Sequence, residues 1–264
     1  MKINLDNKMV RFLVQEYVNQ ICNYSTDNDL NYNTYKLIHT FQVVEMAQIL
    51  IDKTRPALSE KMKKHILDAA LLHDLGRCHE FKNGKRLKVD HGKIGAKLIK
   101  KNFPQMKTEA LATLFHNKLP SRKDPQSCQP VLDYVRDADM LANLKYQSDD
   151  ANMWLVRILD SEDKSFLTPV IDKEIFNAVK ENRPVKCNKI KTRNLLTMWL
   201  WELCWFFNLR TTVGINYAKK EKIFIKFKKV IMKKIVPLTT LKPRKQKELT
   251  QQIQTAFPDS LFLK

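Results

Sequence analysis

The chain has 264 residues, enough for one large domain or two small ones, and with 44% hydrophobic and 28% charged residues it is not expected to be disordered. It holds only 5 Gly and lacks both the G-x-G-x-x-G and the G-x-x-x-x-G-K-[ST] motifs, which argues against an all-β sandwich, a Rossmann fold and a P-loop. The 47 basic residues outnumber the 28 acidic ones by 19, a balance that favours anionic partners such as nucleotides, nucleic acid or acidic surfaces.

Helical periodicity dominates the chain from its beginning. Apolar residues recur every three or four positions over residues 10–21, 37–51 and 66–73. Ser59-Glu60 and Asn33-Thr34 predict two helix starts, and Gly76 is placed where a helix C-cap would lie. Further helices are predicted near 93–103, 107–117, 129–143, 150–160, 192–208, 214–235 and 243–255, with polar loops at 77–91, 117–130 and 181–191. The sequence therefore predicts an all-α fold.

The two halves of the chain differ in charge. Residues 1–150 carry 24 basic and 18 acidic residues, whereas residues 151–264 carry 23 basic and 10 acidic ones. We therefore predict a helical core over 1–150 and a basic helical extension over 151–264, with a soft boundary. Within the extension, residues 219–234 form a basic amphipathic pattern that has three interpretations: a helix docked on the core, a strip that faces nucleic acid, or a helix for a membrane surface or a protein partner.

Cysteine usage and the chain's apolar runs indicate a location. The five cysteines are odd in number and form no C-x-x-C, which indicates a reducing compartment rather than a disulfide framework. The first residues lack the apolar run and small-residue cleavage site of a signal peptide. The most apolar run, Leu195 to Leu209, contains Glu202 and falls short of the roughly 20 residues that a membrane span needs. We expect a cytoplasmic protein without a transmembrane segment.

Several polar residues are embedded in apolar patterns. His39 lies on the apolar stripe of its predicted helix, and Asp139 has apolar neighbours in VRDADMLANL. His73 and Asp74 end the apolar stretch DAALLHDLG. Buried polar groups need partners, and one cation would serve all four.

The motifs HDLGRCHEF, DHGKIGAKL, FHNK and VRDADML follow His39 in that order. This ordered set resembles the small HD-domain metal-dependent phosphohydrolases, which typically read H, HDxGR, DHxxxGA, HNK and RDADxL. The resemblance covers about residues 34–145. It implies an HD-domain helical bundle, and it implies that two divalent ions can be held.

The resemblance also implies a role for each matching position. The first ion would be held by His39, His73, Asp74 and Asp139, with Asp74 as a carboxylate that bridges to the second ion, and the second ion would add His91 and His116. Asn117 stands where the cyclic-di-nucleotide phosphodiesterases of the family have a further histidine, and their GYP signature is missing. Both departures argue against a cyclic-di-nucleotide substrate.

Imidazole and carboxylate ligands suit Mn, Fe, Co, Ni or Mg, and a pair of such ions can activate a water and stabilise charge on a phosphoryl group. We expect one or two of these ions. Alongside Asp74, we predict catalytic roles for two cations next to the ligands, Arg77 and Lys118, as partners of the substrate anion.

Other charged residues near the motifs have structural interpretations. Arg136 is expected to pair with Asp133 or Asp137. Asp137 competes with Asp139 for the ligand role, and the resemblance selects Asp139.

Three residues beside the ligands have other expected roles. Asp90 either orients His91 or caps the next helix. His79 is expected outside the site, and His65 on the surface.

The leading hypothesis is a metal-dependent phosphohydrolase in which a metal-activated hydroxide cleaves a phosphomonoester or phosphodiester of a small substrate, a nucleotide. One alternative is a di-iron oxygenase, because some HD-fold oxygenases use the same ligand order. Another is a basic nucleic-acid-binding protein with a structural metal site, which would use the C-terminal half as its binding surface.

Overall fold

The computed structural model describes residues 7–24, 27–82, 85–87, 89–118, 124–149, 171–185, 189–191 and 194–263. Helices dominate this part of the chain, which confirms the all-α prediction. They are α1 (Lys8–Tyr24), α2 (Asp27–Lys53), α3 (Glu60–Leu72), α4 (His91–Asn102), α5 (Lys107–Phe115), α6 (Gln129–Asp149), α7 (Lys173–Lys180), α8 (Leu195–Leu203), α9 (Thr212–Lys220), α10 (Ile223–Val230) and α11 (Pro243–Ala256). The predicted helix near 150–160 lies outside the described residues.

Contacts divide the chain into two compact units, Met1–Ala142 and Asn143–Lys264. The proposed division into a core over 1–150 and a basic extension over 151–264 stays a prediction. No helix in the described ranges is long and apolar enough to cross a membrane.

The first unit is built around the apolar faces of its first helices. The core includes Leu13 and Tyr17 of α1, Leu72 at the end of α3, and Ile99 of α4, all without exposed surface. Burying side chains of this size stabilises the fold by about 1.5–3 kcal/mol each. This apolar packing holds the end of α3 in place, and therefore also the His73-Asp74 pair that follows it.

Helix starts follow local chemistry where a cap is present. Ser59 caps α3 as predicted, because its hydroxyl accepts a hydrogen bond from the Met62 backbone N–H at 3.3 Å. The predicted start at Asn33-Thr34 is wrong, since α2 begins at Asp27 and Asn33 is buried inside it.

Gly76 has a different role from the predicted one. Helix α3 ends four residues earlier, and Gly76 lies in a short 3-10 helix, Leu75–His79. A Cβ at Gly76 would lie 2.1 Å from the backbone oxygen of His91 and 2.9 Å from the backbone nitrogen of Gly95. The residue is therefore needed for close approach of two backbones, not for a helix cap.

The segment predicted as a polar loop over 77–91 carries some regular structure. After the 3-10 helix, Phe81–Lys82 pairs antiparallel with Lys85–Arg86. The predicted Asn-Gly turn at 83–84 lies outside the described residues.

In the second unit, the apolar run at Leu195 forms α8 and a following 3-10 helix, Cys204–Asn208. Leu196, Leu200 and Leu203 are buried, so the interpretation as a core helix is confirmed. The Trp199 and Phe227 rings stack with centroids 4.9 Å apart.

The predicted helix over 214–235 is divided. Helix α9 ends at Lys220, Lys222 adopts φ 53°, and α10 continues into a π-helical turn, Ile231–Ile235. The apolar side of α10 is buried within the second unit, with Ile223, Phe224, Phe227 and Ile231 no more than 3% exposed.

One lysine of this basic segment is itself buried. Lys228 is 4% exposed, and its ammonium donates to the Phe257 carbonyl at 2.8 Å and pairs with Asp259. Phe257 is the C-cap residue of α11, so Lys228 satisfies a carbonyl at that helix terminus. The sequence pattern, which treats all these lysines as surface charges, misplaces this one.

Candidate metal centre

Six predicted ligands lie on five elements of the fold. They are His39 within α2, the His73-Asp74 pair directly after α3, His91 as the first residue of α4, His116 directly after α5, and Asp139 within α6. All are buried except Asp139, whose side chain is 25% exposed.

The first group of donor atoms comprises His39, His73 and Asp139. One atom of each lies within 4.8 Å of the others, a spacing at which the three could hold a metal ion. The Nε2 atom of His39 is 2.9 Å from Oδ1 of Asp139, and Nε2 of His73 is 3.9 Å from the same oxygen.

The second group comprises His73, Asp74 and His116, again with donor atoms within 4.8 Å. Nε2 of His73 is 3.7 Å from Oδ2 of Asp74, and Nε2 of His116 is 3.3 Å from Oδ1 of Asp74. His73 belongs to both groups, so the two groups adjoin at its imidazole.

Hydrogen bonds to the backbone orient two of these imidazoles. Nδ1 of His73 donates to the Ala70 carbonyl at 2.7 Å, and Nδ1 of His116 donates to the Thr113 carbonyl at 2.7 Å. Each ring then presents an unprotonated Nε2 to the cluster.

The Nε2 atom of His73 is buried and has no hydrogen-bond partner among the described residues. An acceptor buried in this way is unfavourable unless a cation or donor meets it. The donor set therefore fits a divalent ion.

His91 lies beside the second group but is not part of it. Its Nδ1 donates to Oε1 of Glu80 at 3.0 Å, and its Nε2 is 3.5 Å from Oδ1 of Asp74. The same Nε2 accepts a hydrogen bond from the Asn117 amide at 3.1 Å. For His91 to bind a metal, this amide must turn away.

Two cations flank the Asp74 carboxylate. Nε of Arg77 lies 3.1 Å from Oδ1, and Nζ of Lys36 lies 3.5 Å from Oδ2. Burial alone would raise the pKa of Asp74, but the attraction of Arg77 and Lys36 outweighs burial and holds it well below its ordinary value. Asp74 is therefore an anion ready for a metal ion.

Burial lowers the pKa of His39 and of His116, against the opposing effect of their carboxylate neighbours. Both imidazoles are neutral near neutral pH, the state in which imidazole binds metals. The pKa of Asp139 is also lowered, because its hydrogen bond with His39 outweighs the effect of burial.

The two predicted substrate cations lie in different places. Arg77 bridges Asp74 and Glu80, and its NH1 lies 2.8 Å from Oε1 of Glu80. Lys118 is 42% exposed, with its ammonium 3.9 Å from Asp90 and 4.8 Å from the centroid of the Phe115 ring.

Arg136 has a partner that the sequence did not indicate. Its guanidinium bonds Asp124 at 2.6 Å, rather than Asp133 or Asp137, and both charged side chains are 3% exposed. It also donates to the carbonyls of Phe115 and Lys118, each at 2.9 Å. These carbonyls bracket His116, so Arg136 fixes the backbone that presents this ligand.

Sequence reasoning missed several residues around the cluster. Lys36 and Tyr32 lie three and seven residues before His39 on α2, a helical spacing that places them on the same face. Glu80 accepts from Tyr32 Oη at 2.6 Å and from His91, and no local signal indicated this. Tyr17 donates to the Asp74 carbonyl at 3.1 Å.

Three polar residues have structural roles outside both groups. Asp90 caps α4 by accepting from the Lys93 N–H at 3.1 Å. His65 is not a plain surface residue, because its Nδ1 lies 2.5 Å from the buried Glu109 carboxylate. His79 lies 3.8 Å from Glu16, outside both ligand groups.

Residues 37–164 match the family model of the HD domain. The matched range contains all six predicted ligands. Searches against curated proteins and against solved structures returned no significant match. The ordered motifs, the helical fold and the family match agree: over residues 37–164 the chain contains an HD domain, the domain of a superfamily of metal-dependent hydrolases.

Proposed function

We propose that this protein is a metal-dependent phosphohydrolase that cleaves a phosphomonoester or phosphodiester of a nucleotide. The observation that carries the proposal is the buried Nε2 of His73, which has no hydrogen-bond partner among the described residues and lies where two His/Asp groups adjoin. A buried acceptor in that position is unfavourable unless it binds a cation.

The residues present define which ions fit. One ion would be held by His39, His73 and Asp139. A second ion beside it would be held by His116 together with His73 or Asp74. Divalent ions such as Mn, Fe, Co, Ni or Mg would supply Lewis acidity there, lowering the pKa of a water and offsetting charge on phosphoryl oxygens.

The chain itself supplies positive charge for the substrate. Lys36 and Arg77 contact the Asp74 carboxylate, and both side chains keep some exposure, 12% and 21%. A metal ion on Asp74 would weaken their hold on that carboxylate. Lys36 would then be available to a phosphoryl oxygen, while Arg77 stays anchored to Glu80.

Glu80 and Arg136 position ligands without touching the substrate. Glu80 fixes the ring of His91 through Nδ1, and Arg136 fixes the backbone on both sides of His116. Partners of this kind orient the donor atoms and typically account for about 10–100-fold in metal affinity or activity.

The two cations beside Asp74 favour a hydrolase that acts on a phosphorylated substrate over an oxygenase. Their charge would stabilise a phosphate, a feature that a di-iron oxygenase acting on a neutral substrate would not need. We therefore place the oxygenase second.

The test begins with metal analysis of the purified protein by mass spectrometry. With the identified metal restored, we expect phosphate release from members of a nucleotide and phosphoester panel, without oxygen uptake. Oxygen uptake with an iron Mössbauer signal and no phosphate release would make the protein an oxygenase. Full metal content with no turnover on any ester would make the site structural.

Lys36 gives a sharper test of the substrate's charge. Lys36→Met should raise KM about 10–100-fold, the worth of one charge-assisted hydrogen bond, with a smaller change in kcat. Lys36→Arg should recover part of the loss. An unchanged KM in Lys36→Met would remove Lys36 from substrate binding.

A further inference from the structure

A row of exposed lysines follows one side of α10 and the π-helical turn after it. The lysine row comprises Lys222, Lys226, Lys229 and Lys233, all exposed. Their spacing of four, three and four residues places them on a common face. At about 1.5 Å per residue, the row extends about 16 Å.

None of the four has an ion-pair partner among the residues that the structure describes. Other cations of the same unit do have partners: Arg183 with Glu174, Lys245 with Glu248, and Lys228 with Asp259. Carboxylates of this unit form ion pairs with these other cations, but among the described residues none forms an ion pair with the lysine row.

Local structure does not explain the row. Lys222 and Lys226 lie at the N-terminal end of α10, where the helix dipole disfavours cations. Lys222 also adopts φ 53°, a left-handed conformation that Gly or Asn would occupy with less strain. Like charges one helical turn apart repel each other. Residues that break local rules without a structural gain mark a functional surface.

The burial of the apolar side of α10 argues against a membrane surface as the partner of the lysine row. A helix that binds a membrane surface inserts its apolar face into the lipid interface. Here the apolar residues Ile223, Phe224 and Phe227 are buried inside the unit, and the exposed residues over 222–235 are all lysines. Such a row suits a partner recognised by repeated charge alone.

We propose that the lysine row binds the sugar-phosphate backbone of a nucleic acid. Lysine ammonium groups contact phosphates without reading bases, so the binding is independent of base sequence. This inference rests on the second unit and does not depend on the proposed hydrolase activity.

The test measures binding of the full-length protein to a fluorescein-labelled 20-nucleotide oligo(U) and to a 20-base-pair DNA duplex over a range of salt concentrations. The variant K222Q/K226Q/K229Q/K233Q removes the row. The control variant K61Q/K97Q/K100Q/K101Q removes four exposed lysines of the first unit and gives the same net charge.

We expect the row variant to bind oligo(U) about tenfold or more weakly at low salt and to lower the salt slope by about 3, because each lost single-strand phosphate contact removes about 0.7. The control should bind within about twofold of the unchanged protein. Equal losses in both variants would overturn the proposal, since net charge alone would then explain binding. Binding to phosphatidylserine vesicles with no affinity for either nucleic acid would also overturn it.

A second measurement needs no variant. In the unchanged protein, bound oligo(U) should protect the lysine row from acetylation by an amine-reactive reagent, as read by mass spectrometry, while Lys97 and Lys100 stay reactive. Equal protection of both sets, or of neither, would contradict the proposal.

Discussion

Two buried nitrogen atoms, one in each unit, differ in how far their hydrogen bonds are satisfied. In the second unit, the Lys228 ammonium is met by both the Phe257 carbonyl and the Asp259 carboxylate. In the first unit, the His73 Nε2 atom is just as buried and has no partner among the described residues. A buried group whose bonds are complete stabilises the fold, whereas an unpartnered histidine nitrogen that lies among aspartate and histidine donor atoms fits a metal ion.

Arg136 shows that the distinction depends on partners and not on the unit. It lies in the first unit, close to the metal ligands, yet it bonds Asp124 and two backbone carbonyls. Its two terminal nitrogens are bonded like the Lys228 ammonium, while its Nε has no hydrogen-bond partner among the described residues, and we assign the bonded end of the side chain the same structural role.

The largest expected effect tests the two donor groups that adjoin at His73. Asp74→Ala removes the carboxylate shared by the flanking cations and the second donor group, so metal retention should be lost and turnover should fall by about 10³-fold or more. Metal content by mass spectrometry and phosphate release check this. Near-normal values for both would contradict a two-metal site.

Asp90→Ala is the matched control for that change. Asp90 adjoins His91 but serves as a helix cap, so its loss should cost about 0.5–2 kcal/mol of stability while metal content is kept. Metal loss in this variant would give Asp90 a role at the site.

The next prediction distinguishes the role of His116 from that of His91. His116 belongs to a donor group and His91 does not, so His116→Ala should reduce metal content from about two ions to about one per chain in a two-metal site. His91→Ala should reduce affinity for the second ion by a smaller factor. Metal titration by calorimetry measures both. If both variants keep full stoichiometry, the site holds one ion.

Arg136 offers a test of a buried, paired charge inside the first unit. Arg136→Met removes the guanidinium that pairs with the buried Asp124 and should cost about 3–5 kcal/mol in the free energy of unfolding. The double variant Arg136→Met/Asp124→Leu should recover much of that loss, because both charges of the buried pair are then removed. Denaturant unfolding checks both; equal losses in the two variants would mean that the carbonyl contacts dominate.

The smallest expected effect is the difference in stability between variants of two adjacent lysines. Lys228→Met should cost about 1.5–3 kcal/mol, since the Phe257 carbonyl loses a charged donor. Lys229→Met changes an exposed residue and should stay within about 0.5 kcal/mol. Thermal unfolding of the two variants gives the comparison directly. Equal shifts in Tm would contradict the structural role of Lys228.

The sequence could predict what depends on pattern and order. Periodic apolar residues predicted most helices, and the ordered motifs predicted which histidines and aspartates come together. Contacts between distant residues were not predictable: Lys36 approaches Asp74 across 38 positions, and Lys228 approaches Phe257 across 29. Whether a lysine is buried depends on such contacts, which a local charge pattern does not contain.

The close approach at Gly76 has a consequence for how this site can evolve. The turn that carries Asp74 and the helix that begins at His91 touch through main-chain atoms, with no side chain between them. Their separation is therefore fixed by atomic radii, and no substitution at this contact can widen it by a small step. A lineage that changes the spacing between Asp74 and His91 must therefore do so at other positions, because this contact contains no side chain that could be shortened.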